Sequence, residues 1–124
     1  MIVLDTSVLI DGLTGRKQSG PAIRAALAEG ERILLPALVL YEWLRGPRLP
    51  AELAAQEALF PAQSAVPFGP EDAAICADLY RAVSRPRGRE IVLAIAASAI
   101  LLEAPLWTLN RADFRDVPAL RFYR

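Results

Sequence analysis

The sequence contains no histidine and only one cysteine among its 124 residues. Without histidine, Ser-His-Asp triads, Cys-His pairs and imidazole acid–base catalysis are excluded, and zinc sites of the usual Cys/His type are excluded with them. The single cysteine, Cys76, cannot form an intramolecular disulfide, so we expect a protein of a reducing compartment, the cytoplasm. Lysine is nearly absent too, because Lys17 is the only one.

The chain also lacks net charge and long apolar runs. Its 14 basic and 14 acidic side chains give a formal net charge of +0, which excludes a general attraction to nucleic acid or to anionic membranes. The longest apolar run, residues 91–102, would extend only about 18 Å as a helix, against about 30 Å for the hydrocarbon core of a bilayer. We therefore expect no membrane contact, and a single domain over residues 1–124.

Hydrophobic periodicity predicts alternating strands and helices. Short apolar runs predict strands at residues 2–4, 32–35 and 105–109, an edge strand at 119–123 and an extended stretch near 64–68. Helical spacing of apolar residues predicts helices over residues 21–29, 38–44, 51–60, 70–83 and 91–102, the last of them apolar on every side and therefore buried. This alternation is typical of an α/β fold with a mainly parallel sheet.

Acidic and amide side chains follow three of these predicted strands. Asp5 comes directly after the first strand, Glu42 lies on the helix that leaves the second, and Asn110 and Asp113 follow residues 106–109. Because the carboxyl ends of parallel strands meet at one edge of a sheet, we expect these groups to converge there. Clustered carboxylates repel one another and are costly to desolvate, and a hard cation such as Mg²⁺ or Mn²⁺ relieves both costs. The chemistry this arrangement favours is metal-assisted attack of water on a phosphodiester.

Each of these residues also has a structural interpretation when taken singly. Asp5 could cap a helix, Glu42 could form an ion pair with an arginine, and Asn110 and Asp113 could form a turn. It is their joint placement that favours a metal site.

Three arginines, Arg85, Arg87 and Arg89, lie in one loop with a proline and a glycine. They form a small cationic arm that suits the backbone of an RNA, although a solvated loop is the alternative interpretation. Because the whole chain carries no net positive charge, RNA binding would have to depend on shape, on single-stranded regions or on a partner protein.

Motifs along nearly the whole chain, taken together, resemble the PIN-domain ribonucleases, and among them the VapC-type toxins of bacterial toxin–antitoxin pairs. The order and spacing of these motifs carry the resemblance, and they are IVLDTSVLID (2–11), LVLYEWLRG (38–46), RGREIVLAIAASAI (87–100), LWTLNRADF (106–114) and a closing RFY.

The resemblance implies a PIN-like three-layer fold and a site for Mg²⁺ or Mn²⁺. By position, Asp5, Glu42 and Asp113 would be the catalytic and metal-binding acids, with Thr6 and Asn110 as supporting polar residues. It also implies an RNA substrate and a cognate antitoxin that covers the acidic cleft.

The sequence departs from the family pattern at one acidic position. In such proteins an aspartate usually stands four residues before the first alanine of the pair Ala96–Ala97, and here that position is Val92. Glu90 is two residues away, about 200° around a helix, so it should not substitute unless the backbone there is unwound. Two interpretations stay open: a naturally degenerate member of the family, or a chain that carries an inactivating Asp-to-Val replacement.

Three functions are therefore compared. The first is a metal-dependent endoribonuclease toxin, and the second is a PIN fold that binds RNA or an antitoxin without catalysis. The third, aspartyl-phosphate chemistry, requires further acids beside Asp5 or a suitably placed lysine, and neither is present. We also expect association, as a homodimer or with an antitoxin, because a hydrophobic content of 54% exceeds the roughly 45–50% usual for soluble domains.

Overall fold

The computed structural model describes residues 1–14 and 19–124. At its centre is a parallel three-stranded sheet in the order β2-β1-β3, with β1 at Ile2–Leu4, β2 at Ile33–Leu34 and β3 at Leu106–Trp107. Val3 of β1 is in register with Leu34 on one side and with Leu106 on the other. The predicted α/β fold with a parallel sheet is confirmed.

Helices flank this sheet. The described part of the chain has α1 (Thr6–Leu13), α2 (Ser19–Ala28), α3 (Ala37–Arg45), α4 (Pro50–Leu59), α5 (Pro70–Ala82) and α6 (Glu90–Leu101), and two short 3₁₀ helices at Ala62–Ser64 and Arg111–Phe114. Five of the six α-helices agree with the sequence prediction. The sixth, α1, is missing from it, because three β-branched residues, Thr6, Val8 and Ile10, give this short segment a weak helical propensity. Burial of Val8 and Leu9 compensates for that weakness.

Two of the predicted extended segments do not form strands. Residues 119–123 do not form an edge strand: Phe122 makes a single parallel bridge to Leu106. Ala119 has a φ of 68°, outside the range of a strand, and Pro118 has no amide hydrogen to donate. The stretch near residues 64–68 likewise contributes only one bridge, from Val66 to Pro36.

The core is built around β1 and α6. All three residues of β1 are buried, and so is every residue of α6 from Leu93 to Ala99, as the sequence predicts. Alanines at four of those seven positions allow close approach of neighbouring elements. Within the core, the Ser98 hydroxyl of α6 donates a hydrogen bond of 2.8 Å to Asp72 of α5. Among residues 1–14 and 19–124, no helix has the length and apolar character that a membrane span requires.

All three strands end at one edge of the sheet. Asp5 follows β1, Pro36 comes two residues after β2 and precedes α3, and Thr108 follows β3. This edge is where open parallel sheets bind ligands.

Candidate functional site

Asp5 connects β1 to α1 and is 6% exposed. Its backbone has the extended conformation of a residue preceding a helix, but its side chain makes no capping hydrogen bond to α1. Instead, the carboxylate oxygen Oδ2 accepts a hydrogen bond of 2.7 Å from Ser7 Oγ and another of 2.7 Å from Thr108 Oγ1. Asp5 is thus the N-cap residue of α1 by position, but its carboxylate does not cap the helix and is directed toward the end of β3.

The two hydroxyl groups that hold Asp5 are themselves held by the main chain. Ser7 Oγ accepts from the amide of Leu109 at 3.0 Å, and Thr108 Oγ1 accepts from the amide of Asn110 at 2.9 Å. Each hydroxyl thus accepts one hydrogen bond and donates its proton to Asp5. Neither Ser7 nor Thr108 was predicted from the sequence as a partner of Asp5. The feature of the sequence that could have indicated Thr108 is a hydroxyl residue placed directly after a buried strand.

The second oxygen of the Asp5 carboxylate, Oδ1, has a different environment. Within the described residues it accepts no hydrogen bond, and Asp5 forms no ion pair. A carboxylate buried to this degree usually has a charged partner or a metal ion. Oδ1 is therefore available to a ligand from outside the chain.

Glu42 lies on α3, and its side chain is 19% exposed. Its Oε1 accepts a hydrogen bond from Thr6 Oγ1, which ties the middle of α3 to the first residue of α1, next to Asp5. Its Oε2 is 3.3 Å from Nη2 of Arg45, three residues along the same helix. Glu42 thus forms the ion pair of the structural interpretation and also contacts Thr6, which was predicted to support the site.

Asp113 and Asn110 belong to the segment after β3. Asp113 lies in the 3₁₀ helix Arg111–Phe114 and Asn110 directly precedes it, and both side chains are exposed. Within residues 1–14 and 19–124, no three His, Cys, Asp or Glu side chains lie close enough together to hold one metal ion. The predicted convergence of Asp5, Glu42 and Asp113 into one three-carboxylate cluster is therefore not found among these residues.

Arg89 is engaged within the chain. Its guanidinium donates to both carboxylate oxygens of Asp116, at 2.7 and 3.0 Å, and to the main-chain oxygen of Asp113 at 2.8 Å. The hydrogen bonds to Asp116 raise the pKa of Arg89, and the same bonds lower the pKa of Asp116. Arg85 and Arg87 remain exposed, so the prediction of an RNA-binding arm now depends on those two residues.

Val92, at the position of the expected aspartate, lies in the first turn of α6. It is half-buried and packs against the hydrophobic core. The helix is regular from Glu90 onward, and the amide of Leu93 donates to the carbonyl of Arg89 at 2.9 Å. Because this turn is not unwound, the exposed Glu90 does not replace the missing acid.

The potential ligand atoms at this edge suit a hard divalent cation. They are carboxylate and hydroxyl oxygens, with no nitrogen or sulfur ligand among them, and Asp5 offers one oxygen that nothing else in the described chain occupies. Mg²⁺ is commonly held by only one or two carboxylates, with water and substrate phosphate completing its coordination. Asp5 supplies one such carboxylate, whereas both oxygens of Glu42 are bonded, one to Thr6 and the other to Arg45.

A protein family and a curated protein are each similar to this chain over nearly its whole length. The model of the family described as the PIN domain matches residues 2–120. The sequence is 35% identical, over 123 residues and 98% of each chain, to ribonuclease VapC19 of Mycobacterium tuberculosis.

Solved structures with 19% sequence identity share the fold. The crystal structure of VapBC2 from Rickettsia felis, bound to a DNA fragment from their promoter, has a TM-score of 0.75 over 99% of this chain and 98% of the other. The structure of FitAcB from Neisseria gonorrhoeae has a TM-score of 0.70 over 99% of this chain and 97% of the other.

The hydrogen bonds of Asp5 lead to a prediction about stability. Asp5→Asn should change the free energy of unfolding by less than about 1 kcal/mol, because an amide oxygen can accept the same two hydroxyl bonds. Asp5→Ala should lower it by about 1–3 kcal/mol, since the hydroxyls of Ser7 and Thr108 lose their acceptor. Urea unfolding in EDTA measures both variants. If Asp5→Asn were as unstable as Asp5→Ala, the charge itself would be structural.

Proposed function

The chain belongs to the PIN-domain family, and from that premise we propose that it is a VapC-like endoribonuclease toxin whose activity depends on Mg²⁺ or Mn²⁺. The family match and the similarity to a ribonuclease over 98% of the chain support the reaction class. The observation that carries the metal dependence is the Asp5 carboxylate, which is buried at the end of the central strand with one oxygen bonded and the other available.

In this proposal the chain's own residues divide the work. Asp5 Oδ1 would hold the cation, and Ser7 and Thr108 keep the carboxylate in one orientation. Glu42, oriented by Thr6, would hold the cation or accept a proton from the attacking water. Asp113 and Asn110 would contribute from the segment after β3. The bound cation would supply Lewis-acid polarisation of the phosphodiester. This division requires Asp113 to move closer to Asp5 when the cation and the RNA bind.

Recognition of the RNA would use a small part of the surface. Arg85 and Arg87 are exposed in the loop before α6, the helix whose first turn carries Val92. Two arginines on a chain of zero net charge provide little general attraction to RNA, so the shape of the RNA, its single-stranded regions or a partner protein would have to add to recognition. We place this activity in the cytoplasm, where the RNA substrate is found.

We also propose that the protein associates, with an antitoxin or with a second copy of itself. Large apolar side chains are exposed on α3, on α4 and between them, namely Tyr41 (51%), Leu44 (52%), Leu49 (64%) and Leu53 (37%). Several large apolar side chains left exposed on neighbouring segments of the chain favour an interaction site here.

The association can be tested by light scattering at micromolar concentration. We expect a dimer when the protein is alone, or a larger complex when it is co-expressed with the product of the adjacent gene. A monomer under both conditions would contradict the proposed association.

Val92 sets the expected level of activity. An isopropyl group provides no oxygen for a cation and no acceptor for a bound water. Loss of a residue that only supports a metal ligand typically lowers affinity or activity by about 10–100-fold, and loss of a ligand costs at least as much. Valine also packs against the core, so the fold should not suffer. We therefore expect a folded protein with little ribonuclease activity.

The decisive variant is Val92→Asp. It should cleave transfer RNA in the presence of Mn²⁺ or Mg²⁺ at least about 10-fold faster than the original chain, and EDTA should abolish the cleavage. Val92→Asn is the matched control, because asparagine has nearly the same size and polarity as aspartate but carries no charge. Adding Asp5→Asn to Val92→Asp should remove the gained activity.

Other outcomes would change the proposal in defined ways. Strong cleavage by the original chain would mean that the acids already present suffice. A Val92→Asp protein that binds Mn²⁺ but leaves RNA intact would instead favour a degenerate PIN domain that binds RNA or an antitoxin.

A further inference from the structure

Arg89 connects two segments that approach the candidate site from different parts of the chain. It is the residue immediately before α6, and its guanidinium bonds to Asp116 through two nitrogens and to the main-chain oxygen of Asp113. One of those nitrogens, Nη1, is also 3.4 Å from the carbonyl of Arg85. With 22% of its side chain exposed, Arg89 is more enclosed than Asp116, which is 42% exposed.

The hydrogen bond from Arg89 to the Asp113 carbonyl is important because no hydrogen bond within the described residues holds the Asp113 side chain. In the described part of the chain its carboxylate accepts no hydrogen bond, and the residue is exposed. The location of the carboxylate therefore depends on its backbone. Three contacts hold that backbone in the described part of the chain: the Asp113 amide donates to the carbonyl of Asn110 at 3.0 Å, the adjacent Phe114 is buried, and Arg89 donates to the carbonyl of Asp113.

We infer that Arg89 is a positioning residue, which holds the Asp113 segment against the start of α6 and so limits how far the Asp113 carboxylate must move to reach a cation bound at Asp5. The inference rests on the proposed function and replaces the direct RNA contact expected for this arginine. It assigns the positioning to the two-pronged guanidinium, because a lysine ammonium cannot bond to both oxygens of Asp116 and to the Asp113 carbonyl in the same way.

Two roles of Arg89 predict opposite changes in metal affinity. A guanidinium near the site repels a cation, so if Arg89 acted only through its charge, its removal would strengthen binding. If Arg89 positions Asp113, its removal frees the segment and weakens binding. The sign of the change therefore distinguishes a positioning residue from a nearby charge.

The experiment compares Arg89→Gln, Arg89→Lys and Arg87→Gln with the original chain. Arg87→Gln removes the same charge two residues away, from a side chain that forms no hydrogen bond within the described residues. Mn²⁺ binding is measured by electron paramagnetic resonance, in the original chain and in Val92→Asp. Hydrogen exchange of residues 110–117, measured by mass spectrometry without metal, reports directly on the segment.

We expect Arg89→Gln to weaken Mn²⁺ binding by about 10-fold and to speed exchange in residues 110–117. Arg89→Lys should recover only part of the loss, and Arg87→Gln should bind Mn²⁺ as tightly as the original chain or slightly more tightly. Unchanged exchange in Arg89→Gln, or Mn²⁺ binding at least as tight as that of the original chain, would overturn the inference. If the original chain and Val92→Asp both fail to bind Mn²⁺ while exchange is normal, the proposed metal dependence fails, and the inferred role of Arg89 fails with it.

Discussion

The candidate site depends on how the main chain passes through Asp5. The amide of Asp5 donates to the carbonyl of Trp107 at 2.9 Å, so β1 remains paired with β3 up to the residue that carries the carboxylate. The carbonyl of Asp5 then accepts from the amides of Val8 and Leu9, at 3.2 and 3.3 Å, and begins α1. One residue thus ends the central strand and starts a helix. Its side chain is consequently fixed by the sheet rather than by a flexible loop.

Asp5 and Asp116 differ in how the charge of their carboxylates is balanced. The charge of Asp116 is balanced by the Arg89 guanidinium, which lowers the pKa of Asp116 and leaves both its oxygens occupied. The Asp5 carboxylate is far more buried, but within the described chain it receives only two neutral hydroxyl donors, both on the same oxygen. An internally satisfied ion pair stabilises the fold, whereas a buried carboxylate with an available oxygen favours recruitment of a cation.

The sequence predicts the features of this protein that depend on local patterns. Burial of β1 and α6 follows from apolar runs, and the position of Asp5 follows from where the first run ends. The helix α1 could not be predicted in the same way, because tertiary burial of Val8 and Leu9 outweighs weak local propensity.

The contacts that define the site could not be predicted from the sequence either. Ser7 and Thr108 are 101 residues apart, and Arg89 and Asp116 are 27 apart. Such pairs are joined only when parallel strands bring distant segments together, and a single sequence contains no periodicity that reports them. The expected departure at Val92, by contrast, comes from the resemblance to a family motif and not from any pattern within this single sequence.

The central claim is that the edge of the sheet at Asp5 binds a divalent cation. A crystal structure of the Val92→Asp protein grown with Mn²⁺, with anomalous scattering recorded for manganese, tests it most directly. The account predicts a manganese peak at roughly 2.0–2.2 Å from Asp5 Oδ1, with Oδ2 still bonded to Ser7 and Thr108. A structure with manganese bound only elsewhere, or with no manganese at a saturating concentration, would contradict it.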